Sequence, residues 1–264
     1  MIDARRKAYL QAMGIDLWAL REPPPPVDAC AAAPAVVEPP AEPAASAGAS
    51  AAVEEGPAQA PQTGPVDAEG VFSDPSDLDW PGLEQRVAGC RNCGLCESRT
   101  QTVFGAGDQS AGLMLVGEAP GAEEDKRGEP FVGHAGRLLN AMLGAIGFQR
   151  GQVYITNVIK CHPAGNRDPH VDELAACQSY LNRQIELIRP RLVLALGAVS
   201  AKNLLATDET VAHLRGRVHQ HTPTGTPLMV TYHPAYLMRR PGEKAKAWED
   251  LQQVWRRLQE SPQA

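Results

Sequence analysis

The feature that most constrains the fold is a regular alternation of four short apolar runs with helical patterns after about residue 70. The apolar runs cover residues 113–116, 153–155, 192–196 and 228–230, and each has the length of a buried strand. The helical patterns cover residues 135–146, 171–188, 198–205 and 245–258. This alternation predicts an α/β fold with three layers, α/β/α, around a central, mostly parallel four-stranded sheet.

The first 70 residues differ in composition from this part of the chain. Residues 1–22 have the pattern of one amphipathic helix, and residues 23–70 form a Pro/Ala-rich stretch with too few apolar side chains to fold alone. The sequence therefore predicts a partner-binding peptide (1–22), a disordered linker (23–70) and one globular domain (71–264). No apolar run reaches 18 residues, so we expect no membrane span and a cytoplasmic location.

Charge is divided unevenly along the chain. The net charge is −6, but residues 1–85 carry 4 Lys/Arg against 14 Asp/Glu, a balance of −10, whereas residues 86–264 carry 21 against 17, a balance of +4. The average therefore hides a mildly basic C-terminal part that is compatible with a phosphate-binding surface.

Cysteines form the first candidate site. The stretch CRNCGLC holds Cys90, Cys93 and Cys96, and Cys161 and Cys177 follow with fifteen residues between them. In a reducing compartment such a set indicates metal binding more than disulfides, and four thiolates suit either zinc or an iron–sulfur cluster. Spacing does not separate the two metals, and small core residues are the alternative for the last two cysteines. Cys30 lies in the predicted linker.

Unusual residues follow each predicted strand at its carboxyl end, where sites in parallel sheets gather. The first strand is followed by Gly117, Glu118 and Ala119 of a GEAPG segment, and the second contains Asn157. Acids of the first loop, including Glu124, could position water, or they could form a solvated loop. The Asn157 amide matches the edge of a nucleobase, although a lone buried asparagine is more often structural.

The end of the fourth predicted strand adds an imidazole and a possible phosphate contact. His233 lies in HPAYLMRR and suits donation to developing negative charge, with Arg239 either on a phosphate or simply solvated. Phe131 suits stacking on a planar ligand, with core packing as the alternative.

In this order and spacing, the motifs GEAPG, PFVG, Y-x-T-N, the two later cysteines, LALG and HPAYL resemble family-4-type uracil-DNA glycosylases over roughly residues 85–258. The resemblance implies a [4Fe-4S] cluster held by Cys90, Cys93, Cys161 and Cys177, with Cys96 left over. It also implies the fold of the uracil-DNA glycosylases and excision of uracil from DNA, which starts base excision repair. A catalytically inactive DNA-binding or replisome-associated protein of the same fold is the alternative.

The same resemblance implies roles for residues of the cleft and the DNA surface. The uracil pocket would contain Gly117, Glu118, Ala119, Phe131, Asn157 and His233. Among these, Asn157 would read the base and His233 would face the uracil O2, while Glu118 and Glu124 are candidates to activate water. Gly197 and Ser200 would belong to a phosphate-binding loop, Leu237 would fill the vacated stack, and Arg239 would contact DNA.

The N-terminal twenty residues resemble the extreme N-terminus of the psi subunit of the DNA polymerase III clamp loader, which binds the chi subunit. The matching residues are Arg5, Arg6, Leu10, Gln11, Gly14, Ile15, Trp18, Leu20, Arg21 and Pro23. This resemblance implies chi as a partner through Leu10, Ile15, Trp18 and Leu20, in a bacterial, nucleoid-associated protein that we expect to be a monomer. Docking of this helix on its own domain is the alternative.

Overall fold

The computed structural model describes residues 74–260. The predicted peptide (1–22) and linker (23–70) lie outside this range, so nothing here tests them. Among the described residues, no helix is long and apolar enough to cross a lipid bilayer.

One mixed sheet forms the centre of the described part of the chain. Its strands are β1 (Ala106–Gly107), β2 (Leu113–Gly117), β3 (Tyr154–Asn157), β4 (Leu192–Leu196), β5 (His219–Gln220) and β6 (Pro227–Thr231). Their spatial order is β1-β3-β2-β4-β6-β5, and the inner four are parallel to one another. These inner strands are the four predicted ones, so the α/β class with a mostly parallel central sheet is confirmed.

The two edge strands were missing from the prediction. β1 pairs antiparallel with β3, and β5 pairs antiparallel with β6. Each has only two residues, which is too short to show any alternation of apolar and polar side chains. Very short edge strands limit pairing with other chains.

The α-helices of the described residues precede the first strand, connect the strands and follow the last one. They are α1 (Trp80–Ala88), α2 (Leu95–Ser98), α3 (Ala122–Arg127), α4 (His134–Ala145), α5 (Val171–Ile188), α6 (Ala198–Leu205), α7 (Val211–Leu214), α8 (Pro234–Arg239) and α9 (Lys244–Glu260). Helix α5 covers the residues that the sequence predicted, 171–188. His170 precedes its first turn, and the His170 backbone N–H donates to the Glu173 carboxylate at 2.8 Å.

Burial explains the apolar character of the inner strands. Every residue of β2 and β4 is buried, as expected for parallel strands covered by helices. Helix α6 packs against β4 and β2, and α9 packs against β6 and β4. The apolar runs therefore form the core that holds the strand ends in place.

A buried acid anchors the end of β6. Asp250 of α9 is fully buried, and the Thr231 hydroxyl donates to its carboxylate at 2.8 Å. The Arg215 guanidinium forms an ion pair with the same carboxylate at 3.0 Å, which compensates its charge. Because Thr231 is the last residue of β6, this network determines where the next residues, Tyr232 and His233, leave the sheet.

Candidate active site and cysteine group

The carboxyl ends of the four parallel strands open into a cleft of about 910 Å³. Glu118 follows β2, Asn157 ends β3, Gly197 follows β4 and His233 follows β6, and all four line the cleft. The position agrees with the general rule that sites of parallel sheets lie beyond the carboxyl ends of the strands. Other predicted residues on its wall are Ala119, Glu124, Phe131 and Arg239.

Gly117 lets two larger side chains meet at the inner end of the cleft. A Cβ atom on Gly117 would lie 2.4 Å from Oδ1 of Asn157 and 2.7 Å from the Phe131 ring. Neither approach is possible for a carbon atom, so any larger residue would displace the amide or the ring. The absence of a side chain at Gly117 thus allows Asn157 and Phe131 to approach each other. Gly117 is also the residue of β2 that pairs with Asn157 of β3.

Asn157 presents an unpartnered amide oxygen at this inner end. The residue is 1% exposed, and Oδ1 has no hydrogen-bond partner among the described residues. Its backbone carbonyl accepts a hydrogen bond of 2.8 Å from the buried Lys160 ammonium. A buried, unsatisfied polar atom is costly, so the arrangement is suited to a ligand that donates a hydrogen bond here.

Phe131 lies beside this amide in a strained backbone conformation. Its φ angle is 53°, in the left-handed region that aromatic residues rarely adopt, which costs on the order of 1–3 kcal/mol. The ring is buried, and its centroid lies 5.6 Å from that of the His233 ring. The ring therefore forms part of the cleft wall and is carried by a strained backbone.

His233 caps helix α8 and carries a defined tautomer. The backbone N–H of Ala235 donates to Nδ1 of His233 at 3.1 Å, which leaves Nε2 as the protonated nitrogen of a neutral ring. Burial, together with the nearby charge of Arg239, lowers the pKa of His233 to about 4, while the charge of Glu124 opposes the shift. At neutral pH the ring is therefore an uncharged hydrogen-bond donor.

The two acids of the first loop have different surroundings. Burial raises the pKa of Glu118 to about 7, with a contribution from the charge of Asp168. Glu124 instead accepts hydrogen bonds from the backbone N–H groups of Gly121, Val132 and Gly133 at 3.1, 2.9 and 3.0 Å. A carboxylate engaged by three N–H groups organises the loop, so Glu118 is the better placed of the two to take a proton.

The predicted DNA-contact residues fall into two groups. Gly197, with a φ of 92°, and Arg239 lie on the cleft wall. Ser200 is instead fully buried, and its hydroxyl donates to the Val116 carbonyl at 2.7 Å. Leu237 is only 1% exposed, because it lies on the inner face of α8. Both side chains are thus buried in this structure, whereas the neighbouring Met238 is 45% exposed.

Several cleft residues were missed from the sequence. Tyr232 and Tyr236 stack with ring centroids 5.1 Å apart, and Arg167, Asp168 and Lys202 also line the cleft. Tyr236 lies inside the HPAYL motif and could have been named from its position one helical turn after Tyr232. Lys202 lies within α6 and offers no signal in the sequence.

Cys90, Cys93, Cys161 and Cys177 lie near enough to influence the pKa of one or more of the other thiols. Cys161 and Cys177 are buried, and Cys90, Cys93 and Cys96 are half-buried. Burial, together with the charges of Cys161 and Cys90, raises the pKa of the Cys177 thiol to about 12. Burial also raises the pKa of Cys161, to which Cys93 and Cys90 contribute. Cys96 acts only on Cys93 among these shifts.

Arg99 supplies positive charge at this group. Its Nη1 donates to Sγ of Cys161 at 3.0 Å, and its Nη2 donates to the Cys90 carbonyl at 2.8 Å. Within residues 74–260, no three His, Cys, Asp or Glu side chains are close enough to bind one metal ion.

Comparison with known proteins defines the class. The sequence model of the Uracil DNA glycosylase superfamily matches residues 104–258, more than half of the chain. The chain therefore belongs to the uracil-DNA glycosylase superfamily, as the sequence motifs predicted.

Within that superfamily the chain is similar to type-4 uracil-DNA glycosylases. The protein of that name from Pyrobaculum aerophilum is 41% identical over 180 residues, which cover 66% of this chain and 92% of the relative. The Archaeoglobus fulgidus protein is 41% identical over 178 residues, covering 65% and 89%. The Thermotoga maritima protein is 38% identical over 175 residues, covering 65% and 91%.

Proposed function

We propose that the chain excises uracil from DNA by hydrolysing the N-glycosidic bond of a flipped-out deoxyuridine, the first step of base excision repair. The observation that carries the proposal is the buried, unpartnered Oδ1 of Asn157 at the inner end of the cleft. Membership of the uracil-DNA glycosylase superfamily and the similarity to type-4 enzymes support it.

Asn157 reads the base edge. The amide oxygen accepts from N3–H of uracil, and the amide NH₂ donates to O4. Cytosine presents the opposite pattern, with an acceptor at N3 and a donor at N4, so it would leave both groups mismatched. Phe131 supplies a flat apolar surface for the ring, and Gly117 leaves space for the base above the strand.

His233 and Glu118 act on the reacting bond. When the bond between the sugar and uracil breaks, its electron pair goes to uracil and positive charge remains on the sugar. Nε2–H of the neutral His233 donates to uracil O2 and stabilises that negative charge. A water molecule then adds to the sugar carbon and gives its proton to the Glu118 carboxylate.

The mouth of the cleft provides the DNA contacts. Arg239, Arg167 and Lys202 carry positive charge on its wall, and residues 197–199 form the start of helix α6. Cationic side chains and backbone N–H groups at a helix start suit phosphate oxygens. These contacts help to offset the few kcal/mol needed to extract the nucleotide from the duplex.

Cys90, Cys93, Cys161 and Cys177 are proposed to hold a [4Fe-4S] cluster. Such a cluster gives each thiolate its own iron, so its ligands lie farther apart than the donors of a single zinc ion. Arg99 beside Cys161 suits the negative charge of a thiolate-bound cluster. Bound there, the cluster would tie the segment around Cys90 to β3 and α5, a structural contribution.

Alkaline cleavage of an oligonucleotide tests the proposed activity. A duplex with one uracil is incubated with the protein and then with alkali, which breaks the strand at an abasic site; the matched control carries thymine at that position. We expect a break only in the uracil strand. An intact strand at saturating protein would instead establish the alternative, a glycosylase-fold DNA-binding protein without catalysis.

The N-terminal peptide is proposed to recruit the enzyme to the replisome through the chi subunit. The proposal rests on the sequence resemblance of residues 1–22 alone, since they lie outside the described range. A short binding peptide on a long linker raises the local concentration of the attached enzyme without restricting its orientation. Deleting residues 1–22 should abolish binding to purified chi and leave turnover of short oligonucleotides unchanged, whereas retained chi binding would refute the recruitment.

A further inference from the structure

The backbone turn that carries Phe131 is under strain. Phe131, Asn166, Arg189 and Ala206 are the non-glycine residues with positive φ in the described range. Arg189 and Ala206 end helices, where this conformation is common, and asparagine adopts it readily. Phe131 neither ends a helix nor is an asparagine, so its positive φ has no such local explanation. We call residues 129–133 the Phe131 turn.

Arg150 binds the first half of the Phe131 turn. It comes from the short helical turn Arg150–Gln152 that precedes β3, far from the turn in sequence. Its Nη1 donates to the Phe131 carbonyl at 3.3 Å, and its Nη2 donates to the Pro130 carbonyl. Nε and Nη2 also bind the Glu129 carboxylate at 3.1 and 2.9 Å. Within the described residues, the guanidinium thus makes its hydrogen bonds to this turn.

Glu124 binds the second half of the Phe131 turn. Its carboxylate accepts from the N–H groups of Val132 and Gly133, the two residues that follow Phe131. Arg150 thus binds carbonyl groups of the first half of the turn, and Glu124 binds N–H groups of the second half. Helix α4 closes the third side, where a Cβ atom on Gly136 would lie 1.8 Å from the Phe131 carbonyl oxygen.

We infer that Arg150 is a positioning residue of the uracil pocket that acts through Phe131. It holds the strained backbone so that the aromatic ring lies against Asn157 and His233, ready to receive the base. The inference rests on the proposed function, because its effect is expressed in uracil binding and excision. Without Arg150 the turn relaxes, and the ring leaves its place for part of the time.

A double-mutant cycle tests this inference. Single-turnover excision of uracil is measured for wild type, Arg150→Met, Phe131→Ala and the double variant. We expect Arg150→Met to lower the rate about tenfold and Phe131→Ala to lower it more. The double variant should be no slower than Phe131→Ala, because effects that act through one side chain do not multiply. Arg150→Lys should be faster than Arg150→Met and slower than wild type. The lysine ammonium keeps the positive charge but cannot make the several fixed hydrogen bonds of a guanidinium.

Arg183→Met is the matched control. The Arg183 side chain is 20% exposed, close to the 24% of Arg150. Like Arg150, it forms an ion pair, here with Glu186, and donates a hydrogen bond to a backbone carbonyl, here that of Leu78. It lies outside the cleft, so its loss should leave the excision rate unchanged. Melting temperatures of Arg150→Met and Arg183→Met should agree within about 3 °C.

Two results would overturn the inference: an Arg150→Met rate within twofold of wild type, or a double variant slowed by the product of the single effects. A wild type that fails to excise uracil would sink the proposed function instead. If Arg150→Met does not fold, Glu129→Gln replaces it in the cycle, because this change removes the ion pair that orients Arg150. It should lower the rate about threefold, again with no further effect in the Phe131→Ala background.

Discussion

The backbone N–H of Ala235 donates to Nδ1 of His233 across the first turn of α8, and this bond decides which ring nitrogen carries the proton. A helix cap therefore prepares the donor of the active site. Because burial keeps the pKa of His233 at about 4, the ring stays neutral through the physiological range and needs no proton from solvent.

His233→Asn separates the two functions of this residue. Asparagine is a good helix cap, so α8 should remain stable, but the Nε2–H donor is lost. We expect single-turnover excision to fall about 10²–10³-fold, the usual loss for one donor to a developing anion. The melting temperature should change by less than about 3 °C. A variant within threefold of wild type would show that His233 does not stabilise the leaving base.

Gly117→Ala tests the close packing at the inner end of the cleft. The new Cβ would force apart Asn157 and the Phe131 ring, a displacement that costs about 1–3 kcal/mol. We expect excision to fall about 5- to 150-fold. Gly144→Ala in α4 is the control, since nothing lies within 4 Å of its added Cβ, and it should gain about 0.5–1 kcal/mol of stability at full activity. Equal rates for the two variants would contradict the packing argument.

Glu118 predicts a pH dependence of the rate. Its pKa is raised to about 7, so the carboxyl is protonated below that value and accepts no proton from water. Excision should rise with pH to a midpoint near 7 and then level off, and Glu118→Gln should be slow and lack this rise. A wild-type rate that is flat between pH 5 and 8 would rule Glu118 out as the base.

Glu118 also predicts the direction of a stability change. Its folded pKa lies above the usual value of 4.5, so between these two values the folded state binds more protons than the unfolded state. Stability should therefore fall as pH rises from about 4.5 to 7, and less so in Glu118→Gln. Calorimetric melts of both proteins across this range measure the difference; parallel curves would refute the raised pKa.

The cysteine assignment can be checked by colour. Cys90→Ser removes a proposed cluster ligand, whereas Cys96→Ser removes the spare thiol six residues along the same stretch. The purified wild type and Cys96→Ser should be brown, with broad absorption at roughly 400 nm, and Cys90→Ser should lose it. A colourless wild type with bound zinc would show that the metal is zinc. Loss of colour in Cys96→Ser but not in Cys90→Ser would make Cys96 the ligand and Cys90 the spare thiol.

The sheet was predictable because its inner strands are buried on both faces and read as unbroken apolar runs. Helix α5 was placed at Val171–Ile188 in full, since its apolar residues recur at helical spacing. The residues at strand ends were also predictable, because topology alone brings Glu118, Asn157, Gly197 and His233 to one edge of the sheet.

What escaped prediction was the direction of individual side chains. Leu237 and Met238 are neighbours of similar polarity, and only their place on α8 decides that the first is buried and the second exposed. Arg150 was not named because its partners, residues 129–131, are about twenty positions away. A contact between distant segments leaves no periodic trace in the chain.

The hydrogen bonds of Glu124 have a consequence for how this protein can be altered. Its carboxylate accepts hydrogen bonds from Gly121 and from Val132 and Gly133, so it holds the two ends of residues 121–133 together. Insertions within this segment would separate its ends and break the hydrogen bonds of Glu124, whereas an exchange of the entire segment would preserve them. The first loop can therefore be exchanged between related enzymes only as a whole, and only together with Arg150, which binds residues 129–131 from outside the segment.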